Sequence, residues 1–297
     1  MQQKGITRRD FIKGSTSAAL ACAFYLGYPG YLLSKSEPKT RVVLVRHKDA
    51  LDNLNRPNKA VLGQMLDEAV TRLLDVSSPS QAWKRLIKPD DIVGIKTNTW
   101  GYLHVPEELE QIIKARVVEA GVAEKNIGIR DLNLLGDKIF TNATALVNVR
   151  PLRTHYWSGV GSLIKNYVTF VPRPSAHHGD TCADLASIWK LPLIQGKTRL
   201  NILVVLTPLF HGSGPHHFNR QYTWAYKGLL VGADPVAVDA TGVRLLQAKR
   251  REYFGEDRPL NPPPKHIFLA DTRYGLGTAD PGKIELVKIG WQDSILI

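Results

Sequence analysis

Short apolar segments alternate along the chain with stretches in which apolar residues recur at helical spacing. Residues 40–46 are β-branched and alternating, which predicts a first strand. Residues 91–97 and 200–206 are almost continuously apolar, the pattern of parallel strands buried on both faces. Further strands are predicted at 126–130, 145–149, 227–231, 266–270 and 283–289. Helical spacing covers 58–75 (Val61, Met65, Leu66, Ala69, Val70, Leu73), 80–87 with Trp83, 106–120, 159–168, 181–189 and 235–254. Pro106 and Gly121 bracket one helix, while Asp234 as N-cap and Pro235 at the first helical position start the longest. Strands and helices in this rhythm predict a doubly wound α/β fold with a mostly parallel sheet and helices on both faces. It is expected as a single large domain over residues 37–297, with a candidate interruption around 171–225.

The pattern changes at the N-terminus. Residues 15–33 are apolar and small, broken by Gly27, Pro29 and Gly30, and follow Thr7-Arg8-Arg9-Asp10-Phe11-Ile12-Lys13. Paired arginines followed by an aromatic, an aliphatic and a lysine form a twin-arginine export address ahead of a signal-type apolar stretch. Residues 1–36 are therefore expected to be a signal or an N-terminal anchor, read by the twin-arginine translocase, and the body to be periplasmic or otherwise extracytoplasmic. No clear A-x-A site follows the apolar stretch before Lys35 and Glu37, so cleavage and retention as a membrane anchor both stay open.

Charge and cysteine count narrow the chemistry. The formal net charge is +12. Lys4, Arg8, Arg9, Lys13 and Lys35 against Asp10 give +4 in the signal region, leaving +8 for the rest. A basic body favours anionic partners. No zinc-finger spacing or helix-turn-helix pattern is present, so nucleic acid is not expected. The two cysteines are Cys22, in the signal, and Cys182. One remaining thiol supplies neither a disulfide nor the four thiolates of a self-contained iron–sulfur cluster.

Candidate chemistry collects at the ends of the predicted strands, where α/β sheets bind ligands. Lys96, Asn98, Thr99, Trp100 and His104 follow the second strand, Asp131 the third, and Arg153, Thr154 and His155 the fourth. Lys165 and Asn166 lie in a predicted helix, and Asp239 one turn into the long one. Five of the nine histidines fall in two loops: His177 and His178 beside Asp180 and Cys182, and His211 with His216 and His217. Imidazole with a nearby carboxylate or thiolate is a divalent-metal shell in kind, so His177, His178 and His211 are the candidate metal ligands. None has the i, i+4 spacing of a helical metal motif. Gly212-Ser213-Gly214 lacks the third glycine of a dinucleotide fingerprint and the frame of a nucleophile elbow.

These positions also form a larger pattern. Lys96-x-Asn98, Arg153-Thr154-His155 leading to Gly161-x-x-x-Lys165-Asn166, His177-His178 and Gly212-x-Gly214-Pro215 stand in order. Gly232-Ala233-Asp234-Pro235-Val236-Ala237-Val238-Asp239 and Gly275-Leu276-Gly277-Thr278 complete it. The set resembles the domain-of-unknown-function 362 family over residues 42–289. The resemblance implies an α/β fold and frequent twin-arginine export, with some relatives fused to ferredoxin-type modules, but no reaction. Here the ferredoxin cysteines are absent, Arg153 replaces a common lysine, and Tyr167 and Phe170 replace a Gly-containing turn. The expectation is an exported protein of unknown activity with a strand-end site for an anionic ligand or metal. Lys96, Asn98, Asp131, His155, Lys165, Asn166 and Asp239 would hold the ligand in a redox-linked enzyme with a redox or membrane-complex partner. The alternative is a non-catalytic accessory subunit of a membrane-associated extracytoplasmic complex.

Overall fold

The computed structural model describes residues 38–212, 214 and 218–297; the arginine pair, Ser213, His216 and His217 lie outside them. Eight strands form one sheet: β1 (Thr40–Arg46), β2 (Val93–Lys96), β3 (Ile127–Arg130), β4 (Ala145–His155), β5 (Gly159–Gly161), β6 (Thr198–Leu209), β7 (Gly228–Gly232) and β8 (Ile284–Gly290). Their order is β3-β2-β4-β6-β7-β1-β8, with β5 added to β4. Pairings are parallel except those of β7 with β6 and β1 and of β5 with β4. The structure is thus a mixed α/β domain with a mostly parallel sheet.

Helices cover both faces. Alternate residues of one strand point to opposite faces, and β1 sends Val43 and Val45 to one core and Val42 and Leu44 to the other. The first core lies under α1 (Lys59–Leu74), α2 (Pro79–Leu86) and α3 (Glu107–Glu119). Asn58 caps α1 by accepting from Val61 N, and Ser78 caps α2. The short α4 (Lys138–Asn142) starts at Asp137 and seats Phe140 in the second core. That core is completed by the single turn α5 (Leu163–Asn166), the irregular segment from Tyr167 to Ile194, and the helices α6 (Pro235–Phe254) and α7 (Lys265–Thr272).

Three predicted elements differ. Residues 159–168 were expected as one helix, but Gly159 has φ +73 and a Cβ there would run into the backbone of Pro262 to Pro264. The chain therefore turns back as β5 along the end of β4 before α5 begins. Residues 181–189 are not a continuous helix either. Asp180, Thr181 and Cys182 take φ values of 42, 54 and 63, and only Leu185–Lys190 follows as a 3-10 turn. Residues 266–270 form part of α7 rather than a strand, burying His266, Ile267 and Ala270. A short apolar run does not distinguish the two by periodicity. β4 also extends beyond its predicted end at 149, passing Pro151 where its register with β6 shifts.

Candidate functional site

The connections after β2 and β4 leave on opposite faces. From β2 the chain runs through α3, in the first core, to edge strand β3; from β4 it runs through α5 and residues up to Ile194, in the second core, to β6. The carboxyl ends of β2 and β4 therefore flank a topological switch point, where open α/β sheets leave a crevice for ligands.

A polar row crosses the sheet just below it. Lys96, Asn148 and Asn201 share one register on β2, β4 and β6. Lys96, fully buried, donates from Nζ to Thr97 O at 2.7 Å, Asp131 Oδ1 at 2.7 Å and Asn166 Oδ1 at 3.2 Å. Asn166 Nδ2 donates to Asn148 Oδ1 at 2.9 Å, Val149 O at 3.0 Å and Lys96 O at 3.2 Å. Asn148 Nδ2 donates on to Asn201 Oδ1 and to Leu163 O, both at 3.1 Å, and Asn201 reaches Ala233 O at 2.9 Å. Lys96 and Asn166, both candidate ligand residues, thus join β2, β4 and α5. Asp131 also accepts from Thr99 N and Oγ1. Burial alone would raise its carboxyl, but the Lys96 ammonium holds it below the usual range. Burial lowers Lys96 to about 8 against the pull of Asp131.

Asp239, on α6, is fully buried and accepts from Ser162 Oγ at 2.7 Å and from Leu163 N and Ile164 N at 2.9 Å each. It caps α5 from across the core, satisfying N–H groups that a helix start leaves unpaired. Burial pushes its carboxyl up to about 7 despite these donors. Asp234 has a parallel role. Its Oδ1 accepts from Val236 N and Ala237 N, and its Oδ2 from Thr278 N, tying α6 to the glycine motif at 275–278.

Above the polar row lies a second group with donors to spare. Arg150, on β4, is buried and its Nε has no hydrogen-bond partner. Burial lowers it to about 10, opposed by Asp131 and Asp239. Arg153 donates from Nη1 to Asn98 Oδ1 at 2.8 Å and lies 4.5 Å over the Trp100 ring, but its Nε is also buried and unpartnered. Gly161 makes room for both, since a Cβ there would stand 3.2 Å from Arg150 Nη2 and 3.4 Å from Arg153 Cγ. Lys165 is 3% exposed, and its partner is Cys182 Sγ at 3.5 Å. Burial, opposed by Cys182 and reinforced by Arg150 and Arg153, lowers Lys165 to about 8.

Three imidazoles face this charge. His155 accepts at Nδ1 from Trp157 N, and burial followed by Lys165, Arg150 and Arg153 holds it far below its usual value. His178 falls to about 4 through burial and Lys165, and its ring centroid is 3.9 Å from that of Trp157. His266 is fully buried with both ring nitrogens unpartnered, and burial with Lys165 and Arg150 takes it to about 3. All three are neutral at neutral pH.

The structure therefore brings Lys96, Asn98, Asp131, His155, Lys165, Asn166, His178 and Asp239 to one region. His177 is half-buried on the turn before His178 and borders a surface cleft with Asp180 and Tyr274. His211 sits apart from any ligand set: its Nδ1 is 3.1 Å from Arg250 Nη1, between Tyr222 and Phe254. Among the described residues no group of three or more His, Cys, Asp or Glu side chains is arranged for a metal ion. Arg150, at the centre of the cluster, and His266 were not among the expected site residues. Arg150 stands two positions beyond Asn148 on the same strand face but past the predicted strand end at 149, and His266 carried no signal of its own.

No curated protein and no solved structure matches the chain. The model of the family described as a domain of unknown function (DUF362) matches residues 101–244, a segment that holds Arg150, Arg153, Lys165 and Asp239, and supports the DUF362 family for this chain.

Proposed function

We propose that this is an exported protein that binds a small carboxylated or phosphorylated anion at the β2–β4 switch point. One observation carries the reading: Arg150 and Arg153 are buried with unpartnered Nε donors, beside Lys165, which has no carboxylate partner. Burying a charge is costly unless it is paired. Four buried cations, Lys96, Arg150, Arg153 and Lys165, have Asp131 and Asp239 as their nearby carboxylates. Asp131 is already bound to Lys96, and Asp239 to Ser162 and the start of α5. A ligand oxyanion would complete the balance, and paired guanidinium donors match its geometry. The same positive field disfavours a divalent cation at this cluster. Export rests on Arg8 and Arg9 with the apolar stretch behind them.

Titration calorimetry of the full chain with inorganic phosphate and with succinate at low ionic strength tests the reading. Saturable binding of one or both, weakening as salt rises, is expected. No saturable binding of either would overturn it.

A further inference from the structure

Lys165 is the least committed of the buried cations. Lys96 spends its three N–H groups on Thr97, Asp131 and Asn166. Lys165 is also buried, yet its Nζ meets only the weak acceptor Cys182 Sγ at 3.5 Å among the described residues. Arg150 and Arg153 act on it as like charges. An amine beside fixed cations and out of water is the setting in which lysine becomes a nucleophile. His266, fully buried with both ring nitrogens unpartnered, lies in the positive field of Lys165 and Arg150.

The backbone around the pair is unusual. Cys182 follows Asp180 and Thr181 in three successive positive-φ residues, and the Thr181 hydroxyl is buried without a partner. Non-glycine residues are strained in this region and persist there where the surroundings impose it. Here Lys265 Nζ holds Asp180 Oδ1 at 2.6 Å, tying the turn to α7 immediately before His266.

We propose that Lys165 forms a Schiff base with a small 2-oxo acid, whose carboxylate is held by Arg150 and Arg153. This rests on the anion-binding reading and names its substrate class. The Lys165 ammonium gives one proton to solvent, the free amine attacks the ligand's carbonyl carbon, and a proton passes from nitrogen to oxygen to give a carbinolamine. Its hydroxyl then leaves as water with a proton regained from solvent, and the nitrogen lone pair forms the C=N bond of a protonated iminium. One water is lost and the charge on nitrogen is conserved. At neutral pH an amine lowered to about 8 holds about three hundredfold more of its free base than a lysine at 10.5.

The test is borohydride trapping on the full chain with pyruvate, 2-oxobutyrate and 2-oxoglutarate, followed by peptide mass mapping. A reduced adduct at Lys165, about tenfold above any exposed lysine, is expected with at least one of them. Excess propionate, which offers the carboxylate without the carbonyl, should suppress it. Lys165→Arg should lose the adduct; mapping of the wild-type chain gives the answer even if that variant does not fold. Absence of a selective Lys165 adduct with all three acids overturns the proposal while phosphate or propionate binding still stands. A Lys165 adduct indifferent to propionate and phosphate would instead overturn the anion-site reading.

Discussion

Ser162 Oγ donates a 2.7 Å hydrogen bond to Asp239 Oδ2 across 77 residues of sequence. With the N–H groups of Leu163 and Ile164 on the same carboxyl, this bond fixes the turn that carries Lys165 and Asn166. The D-P-V-A-V-D and K-N motifs are therefore one structural unit: the first aspartate caps its own helix and the second caps the turn that presents the lysine.

Asp239→Asn should cost about 1–3 kcal/mol, because the amide cannot accept from all three donors. Its effect is pH-dependent. The folded carboxyl keeps its proton up to about 7, whereas the unfolded one loses it near 3.8. Between those values the folded state binds more protons, so this group's contribution falls as pH rises. Denaturant unfolding should show a larger wild-type advantage at pH 5 than at pH 8.

Lys165→Met removes a buried cation with no carboxylate partner and keeps most of the aliphatic stem. It is expected to stabilise the fold by about 1–3 kcal/mol at pH 7. In the wild type the folded lysine titrates near 8 and the unfolded one near 10.5, so the penalty is complete below 8 and fades as pH rises to 10.5. Unfolding midpoints of the two proteins should converge over that window.

Asp131→Asn has the opposite sign. It leaves the Lys96 ammonium, 2.7 Å away and fully buried, without its charged partner, and should destabilise by about 3 kcal/mol. Thermal unfolding at pH 7 checks this. A neutral effect would mean that Asn166 and Thr97 suffice to satisfy Lys96.

Gly277→Ala should destabilise by about 1–3 kcal/mol, since a Cβ at 277 would collide with the Asp234 carboxyl that caps α6. Circular dichroism melting of the variant, beside Gly282→Ala as a roomier control, measures it; there the nearest atom would be 3.2 Å away.

The buried strands and the long helix were readable because their signals are local. α6 starts at Asp234-Pro235 and ends at Gly255, with φ +72, so cap chemistry alone delimits it. The site was readable in part. Lys96, Asp131, Lys165 and Asp239 stand at strand ends and helix starts, where polar residues are conspicuous. Arg150 was hidden because Pro151 ordinarily marks the end of a central strand. Here Pro151 sits at the register shift against β6, and the strand continues to His155. His266 was hidden by the apolar run around it, which fits a helix or a strand equally. The reversal at Gly159 depends on the distant Pro262–Pro264 backbone, a contact no local pattern contains.

The central claim is that Arg150 is held in readiness for an anion. It is tested most directly by unfolding wild type and Arg150→Met in parallel at increasing phosphate and constant ionic strength. The wild type should gain about 2.7 kcal/mol at a hundred times its dissociation constant, while Arg150→Met gains at least tenfold less sensitivity to the ion. Equal phosphate responses in the two proteins, or none in the wild type, would contradict the account.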